Sequence, residues 1–524
     1  MIKDKFYKLG LTCVLVLLMD GCSEEILHKD PVGFASAEGF FQTENDIMTG
    51  VNGIYPIFQG DIWGGAFVHV QPHFDAATDN AVLCCDWEHG FTAIARGTMS
   101  PTSGGIISWK YNFGYQGLAR INNILEIIES NTISDLTAER AAKWMGELRF
   151  LRAFIYSEMV TVFGGVPIVT KVISNQEAEA LTRSSKEEVI QLILDDLDYA
   201  AANLDYTPNN NQNGRPTKQS ALALKGKILL YNERWTEAAA TLKEIIDAEG
   251  AEIRLDADYE SLFRGTNEES KEIFFAIQYL TDAGGEGSFL QVHYAPSNIV
   301  IGGGWGSFTY TKNLLDAYYM TDGLPINSSP LYDPNNELAN RDPRLRWTFF
   351  FPGDTYRGEV LEHPTHFLVN GSAVTSPDAA VMRSKKWVSE TGNTGDSNSP
   401  VNLVLMRYAD VLLMYAEAQN EAVGPDATVY EAVNKVRNRA NMPDFPPGLS
   451  QSEMREEIRH ERRIEFAMEG TRYFDLLRWK TAQDVIPSLP SLENRQFDPS
   501  RNYLWPIPQS AIDGFSDIEQ NPGY

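Results

Sequence analysis

Apolar positions recur at helical period over much of the chain. From Gly117 to Ser130 they fall at Leu118, Ile121, Ile124, Leu125 and Ile128, which predicts an amphipathic helix. Thr137 to Phe163 reads as a longer helix, closed by Gly164-Gly165 and Pro167. Ser184 or Ser185 can cap the next one, with Glu187 and Glu188 suited to its first turn. Residues 217–249 read as two helices folded back on each other. Gly226 permits close approach, Asn232 to Trp235 turns the chain, and Ala238, Leu242 and Ile245 face the first helix. A looser pair is predicted over 403–440. Such pairs either stack side by side, as in tetratricopeptide arrays, or stand as unrelated αα-hairpins.

Elsewhere the period breaks. Residues 46–58 are helical in pattern up to Pro56, and 60–116 read as loops rich in Gly, Pro and aromatics. That is long for a connection with no role. Glu272 to Tyr279 predicts a strand. The rest of 270–400 is dominated by turn formers and reads as an irregular lobe inserted between helices. Trp144, Trp235 and Trp479 fall within helical patterns and are expected in the core.

The stretch 453–480 is different again. Glu453, Glu457, Glu461, Glu465 and Glu469 follow one another at intervals of four, and Arg455, Arg459 and Arg463 form a second column. Like charges four apart on a helix repel. Such a helix is poorly stabilised alone, so its charges are expected to find partners on other segments, the alternative being a solvated charged face. Two helical pieces joined at Gly470 are predicted. The second, Arg472 to Lys480, is anchored by Tyr473, Phe474, Leu476, Leu477 and Trp479.

Composition narrows the function. The chain has 524 residues, 43% hydrophobic, enough for one large domain or two to three ordinary ones. A net charge of −27 weighs against nucleic-acid binding, which needs a basic footprint. Lys3, Lys5 and Lys8 precede a short apolar run, Leu9 to Met19, of signal-peptide length. Gly21-Cys22 follows and resembles a bacterial lipobox, with Cys22 as the lipidated residue. Met19 and Asp20 depart from the usual pattern. The acidic Ser23-Glu24-Glu25 resembles the surface-export signal of Bacteroidetes lipoproteins. Acyl chains on Cys22 would anchor the protein without a membrane span. Of the remaining cysteines, Cys13 leaves with the signal. Neighbouring Cα atoms at about 3.8 Å lie below the usual disulfide range, so Cys84 and Cys85 are expected as a pair of thiols.

No reactive constellation stands out. There is no GxSxG, GxxxxGK[ST], HExxH or CxxC motif, and no His or Cys spacing that suggests zinc. No metal, cofactor or catalytic residue is therefore expected. A glycosidase carboxylate pair is defined only in space and stays open. Asp256, Asp258 and Glu260 lack the Gly of an EF-hand loop and read as a solvated loop.

Several motifs, in order, carry a resemblance. They are ELRFLRAFIYSEMVTVFGGVPIV, AYYMTDGLPI (317–326), RDPRLRWTFFFPGD (341–354), ERRIEFAMEG followed by RYFDLLRW, YLWPIPQSAIDGF and the terminal QNPGY. Together these resemble the SusD/RagB family of Bacteroidetes surface lipoproteins, over nearly the whole mature chain. The resemblance implies a mainly α fold of tetratricopeptide-like helix pairs supporting a loop-rich face. It implies a signal peptide at 1–21, a lipid-anchored tether at 22–45 and one domain over 46–524. The helical scaffold would occupy about 117–250 and 401–480, and the lobe about 270–400. It further implies a non-enzymatic protein on the outer membrane that captures oligosaccharide for a SusC-like TonB-dependent transporter. Capture of peptides or another nutrient, and a surface glycoside hydrolase, remain as alternatives.

A flat aromatic ring is the natural platform for the C–H face of a sugar, with Asp, Asn or Arg beside it for the hydroxyls. By position in the family, ligand-contacting aromatics come from the early loops and from the lobe before the YMTDG-like motif. The candidates are Trp305, set in GGGWGSF, Trp87, Trp63 and Tyr294, with Asp79 and Asn80 as polar neighbours.

Overall fold

The computed structural model describes residues 40–60, 67–68, 70–85, 89–281, 287–296, 304–362, 367–369, 372–374, 376–390, 398–489, 492–514 and 517–524. The fold is mainly α. Numbering the longer helices in chain order, α1 is Glu44–Asn52, α2 Ile106–Glu129, α3 Ala138–Phe163, α4 Lys186–Asn203, α5 Lys218–Tyr231 and α6 Trp235–Asp247. After the irregular lobe come α7 Tyr408–Val423, α8 Ala427–Arg439, α9 Gln451–Glu465 and α10 Arg472–Arg478. Consecutive helices pack on one another along the chain, α2 on α3, α3 on α4, α4 on α5 and α5 on α6, and α6 then packs on α7. One continuous apolar core runs through the stack. This is the paired-helix scaffold expected from the periodicity.

Local signals set the helix ends. Thr137 caps α3 by accepting from the Arg140 N–H, and Ser185, rather than Ser184, caps α4 in a reciprocal box with Glu188. Gly226 of α5 lies against Leu242 of α6, as expected. Two boundaries differ from the sequence reading. Helix α2 starts at Ile106, eleven residues before Gly117, so the stretch SWKYNFGYQG is helical and not loop. Its Gly114 is there for proximity: a Cβ would sit 2.6 Å from Met159 Sδ on α3. At the front, Thr43 caps α1, so the helix begins inside the expected tether, and Pro56 opens a further short helix at Pro56–Gln59.

The strands are short. The predicted strand forms β2, Ile273–Ile277, and pairs antiparallel with Leu403–Arg407, the strand that leads into α7. A second small sheet joins Ala81–Leu83, called β1, to Phe308–Thr311, called β3, with Ala379–Ala380 on the far side. This second sheet ties the early loops to the lobe. Among the described residues, no helix is long and apolar enough to cross a membrane.

The charged columns of α9 do find partners elsewhere. Glu461 and Glu465 take Arg344 of the lobe at 2.5 and 3.0 Å. Glu461 also pairs with Arg437 at 2.9 Å, and Glu465 with Arg407 at 2.6 Å and with Arg439. Glu469 holds Arg407 at 2.8 Å and Lys386 at 2.7 Å. Glu272 meets Arg407 at 2.9 Å and Arg439 at 3.2 Å, and Asp342 closes on Arg344 at 2.7 Å. Five carboxylates thus face five cations, so the buried cluster is neutral overall, the condition under which buried charge is tolerated. Burial pushes the Glu465 carboxyl up, but the guanidiniums of Arg439, Arg407 and Arg344 outweigh it and hold the group well below the ordinary carboxylate range. Helix α9 ends at Glu465, ahead of the expected joint. Met468 and Gly470 both have positive φ, and a tight turn carries Glu469 back toward Arg407.

Of the tryptophans expected in the core, Trp144 is fully buried, and Trp235 is half-buried and packed against the apolar core. Trp479 is half-buried, held between the guanidiniums of Arg459 and Arg478 and donating Nε1–H to Glu417 at 2.7 Å.

Candidate functional site

Trp305 is the one exposed aromatic side chain among the described residues, with 36% of its surface accessible. Its backbone is pinned. The Trp305 N–H donates to Val292 O at 2.6 Å and the Ser307 N–H to His293 O at 3.0 Å. Both acceptors lie in the short helix Leu290–Tyr294. Gly304 makes that approach possible, because a Cβ there would fall 2.5 Å from Val292 O and 2.9 Å from the carbonyl oxygens of Gln291 and Ala295. The loop then enters β3, and Cys84 N–H donates to Ser307 O at 2.8 Å, extending the β1–β3 pairing toward the tryptophan. The outcome is an indole on a firmly held backbone, with about a third of its surface exposed, the form in which an aromatic costs least entropy to present.

Behind Trp305 lies a cluster of rings. His293 meets the indole edge-to-face at 5.2 Å. His73, in the 3-10 helix Gln71–Ala77, meets His293 at 4.7 Å and His89 at 5.7 Å, and His89 meets Trp109 at 5.3 Å. His89 adopts φ +56°, uncommon outside glycine, and its carbonyl accepts from the Ile106 N–H at 2.9 Å at the start of α2. Burial, with His293 adding to it, lowers the His89 imidazole to about 4.

The sequence candidates separate. Trp305 stands at the surface as expected of a platform. Trp63 and Trp87 lie outside the described residues. Tyr294 is 1% exposed and offers no platform: its ring stacks on Phe308 at 4.6 Å and its hydroxyl meets His73 Nδ1 at 3.3 Å. Asp79 and Asn80 are buried too. Asp79 pairs with Arg463 at 2.8 Å and Arg472 at 3.0 Å, and Asn80 accepts from Arg463 at 3.0 Å and donates to Asp75 at 2.5 Å. Burial raises the Asp79 carboxyl, and the two guanidiniums more than offset this and hold it low. These two residues tie the early loop to Arg463 of α9 and Arg472 of α10, and their side chains are buried in those pairings. Cys84 and Cys85 are joined in a disulfide, against the expectation of thiols; adjacent residues accept the link at a Cα separation of 3.8 Å. Asp256 has no loose carboxylate to offer calcium, since it accepts from Asp258 N–H, Asn267 and Ser270.

The histidine cluster was not visible in the sequence. His73, His89 and His293 stand 16 and 204 residues apart, and no ligand motif has such spacing. A concavity of about 340 Å³ opens beside the end of α1, between Asn52, Tyr55, Gln59, Arg215 and Gln278.

The structure thus joins a stacked helical scaffold to a loop-rich edge that carries a partly exposed indole. Residues 271–524 match the SusD family, and residues 61–230 match a family described as starch-binding, associating with the outer membrane. The two matches span most of the chain, and the chain belongs to the SusD family. It is 27% identical to a SusD-like protein of Formosa agariphila, covering 93% of each chain. The structure is similar to a SusD-like carbohydrate-binding protein from Bacteroides fragilis, with a TM-score of 0.80 and 26% identity over 91% of this chain and 99% of that one. It also shares the fold of surface glycan-binding protein A from Bacteroides thetaiotaomicron, solved with laminarihexaose. That match has a TM-score of 0.72 and 22% identity, and covers 92% of this chain and all of that one.

Proposed function

We propose that this protein captures oligosaccharide at the cell surface, with Trp305 as a stacking platform, and passes it to a SusC-like TonB-dependent transporter. The protein is held to the outer membrane through lipid on Cys22 and binds without turning its ligand over. The observation that carries the reading is the rigid, solvent-facing indole on the lobe edge. Family membership and the similarity to carbohydrate-binding relatives support it. The helical stack, with its paired charges and continuous core, supplies the stiffness and the surface for the transporter.

The test is calorimetric titration of the purified protein with a panel of neutral oligosaccharides, β-glucan fragments among them, beside Trp305→Ala. At least one oligosaccharide binds the wild type, and the variant loses tenfold or more in affinity, equal to about 1.4 kcal/mol. Undiminished binding of a cognate sugar by the variant removes Trp305 from the site. Release of shorter products from the bound sugar overturns the non-enzymatic part.

A further inference from the structure

The ring cluster behind Trp305 has a second property. The ligand nitrogens of His73, His89 and His293 all lie within 4.8 Å of one another. His73 and His293 are buried, and His89 is half-buried as a residue with its ligand atom enclosed. We infer that these three imidazoles form a binding site for one divalent transition-metal ion of the zinc class.

The geometry is close to what such an ion requires. Zinc held by nitrogen at about 2.0 Å in a tetrahedron sets its donors about 3.3 Å apart, so small ring rotations close the site. Three neutral nitrogens select zinc, copper, nickel or cobalt over calcium and magnesium, which prefer oxygen. The supporting contact expected of a ligating histidine is present. Tyr294 Oη lies 3.3 Å from His73 Nδ1, placed to hold the ring in one orientation. The three ligands come from three separate segments: the 3-10 helix Gln71–Ala77, the turn before the short helix Phe91–Ala95, and the helix Leu290–Tyr294. An ion would therefore clamp the early loops to the segment that carries Trp305. Three protein ligands leave a fourth position for water or a ligand oxygen, as in open zinc sites. A cluster of core histidines packed only by their aromatic neighbours, Phe91 and Phe308 among them, is the competing explanation.

The experiment uses the mature protein, stripped with chelator and dialysed. Zinc, cobalt, calcium and magnesium are titrated by calorimetry, with stoichiometry read by elemental analysis. One equivalent of zinc or cobalt binds, calcium and magnesium do not, and cobalt gives the visible absorption of a four-coordinate site. His89→Gln, at the half-buried position, and His73→Gln each weaken zinc at least a hundredfold. His460→Gln, outside the cluster, does not. The wild-type cobalt spectrum reads the site even if one variant fails to fold. Absence of a one-equivalent site, or retention of binding in both His89→Gln and His73→Gln, overturns the inference. Neither result depends on whether Trp305 binds sugar.

Discussion

The charged helix α9 and the Trp305 edge lie at opposite extremes of how this chain uses polar and aromatic groups. Around α9, Arg344, Arg407, Arg437 and Arg439 are buried and each meets at least one carboxylate, and the guanidiniums of Arg407 and Arg462 also lie over the Phe466 ring. Around Trp305, the backbone is equally well held, yet the side chain faces water. The contrast separates two jobs. Where charge is neutralised internally, the residues hold segments together, as Glu465 holds the lobe, β2's partner strand and α8. Where an apolar face is left open on a stiff mount, it is available to a ligand.

The largest effect that would break this comparison is expected at Glu465. Glu465→Ala leaves Arg344, Arg407 and Arg439 with one carboxylate too few in a closed space, and unfolding in urea should show a loss of about 3–5 kcal/mol. Trp305→Ala, by contrast, should cost only about 1 kcal/mol in unfolding, for the part of the indole packed against His293, while weakening sugar binding. If Trp305→Ala destabilised as much as Glu465→Ala, the two regions would not differ in kind.

Acid should act on the first region before the second. Burial raises Glu461, Glu465 and Asp475, but Arg344 and Arg437, Arg439 and Arg407, and Arg462 and Arg478 respectively hold them below 4.5 and 3.8. As pH falls, the unfolded chain takes up protons first. Stability present above about pH 4.5 is then lost as pH drops toward the folded values. His460, lowered by burial from 6.5 to about 4, adds a loss in the same direction between those values. Asp75, raised by burial from 3.8 to about 6, opposes: its contribution is present below 3.8 and lost as pH rises through about 6. The network dominates by number, so the melting temperature should fall from pH 6.5 to 3.5. A flat profile would contradict the assignment.

The smallest effect sharpens the second region. Gly304→Ala puts a methyl against the Val292 carbonyl and must displace the loop by a few tenths of an ångström or more. Sugar affinity should fall several-fold, less than for Trp305→Ala, with unfolding little changed.

Much of the scaffold was legible because helices advertise themselves locally. The apolar spacing of α3, the Ser185-Glu188 cap and the Gly226–Leu242 contact are all short-range features. The need of α9 for distant partners was legible too, since like charges at intervals of four cannot stabilise each other. What those partners are was not. Arg344 and Glu461 are 117 residues apart, and nothing near either points to the other. The same holds at the site. Asp79 read as a loop acid because Arg463 and Arg472 lie nearly 400 residues on, and Tyr294 read as a platform because its stacking on Phe308 is tertiary. SWKYNFGYQG read as loop because it continues a run rich in Gly and aromatics, whereas its Gly114 marks close contact with α3.

The most direct measurement is a crystal structure of the protein with its cognate oligosaccharide. A sugar ring lying flat against the Trp305 indole, at van der Waals distance, is the expected result. Sugar found instead in the concavity between Tyr55 and Arg215, with Trp305 bare, would contradict the account.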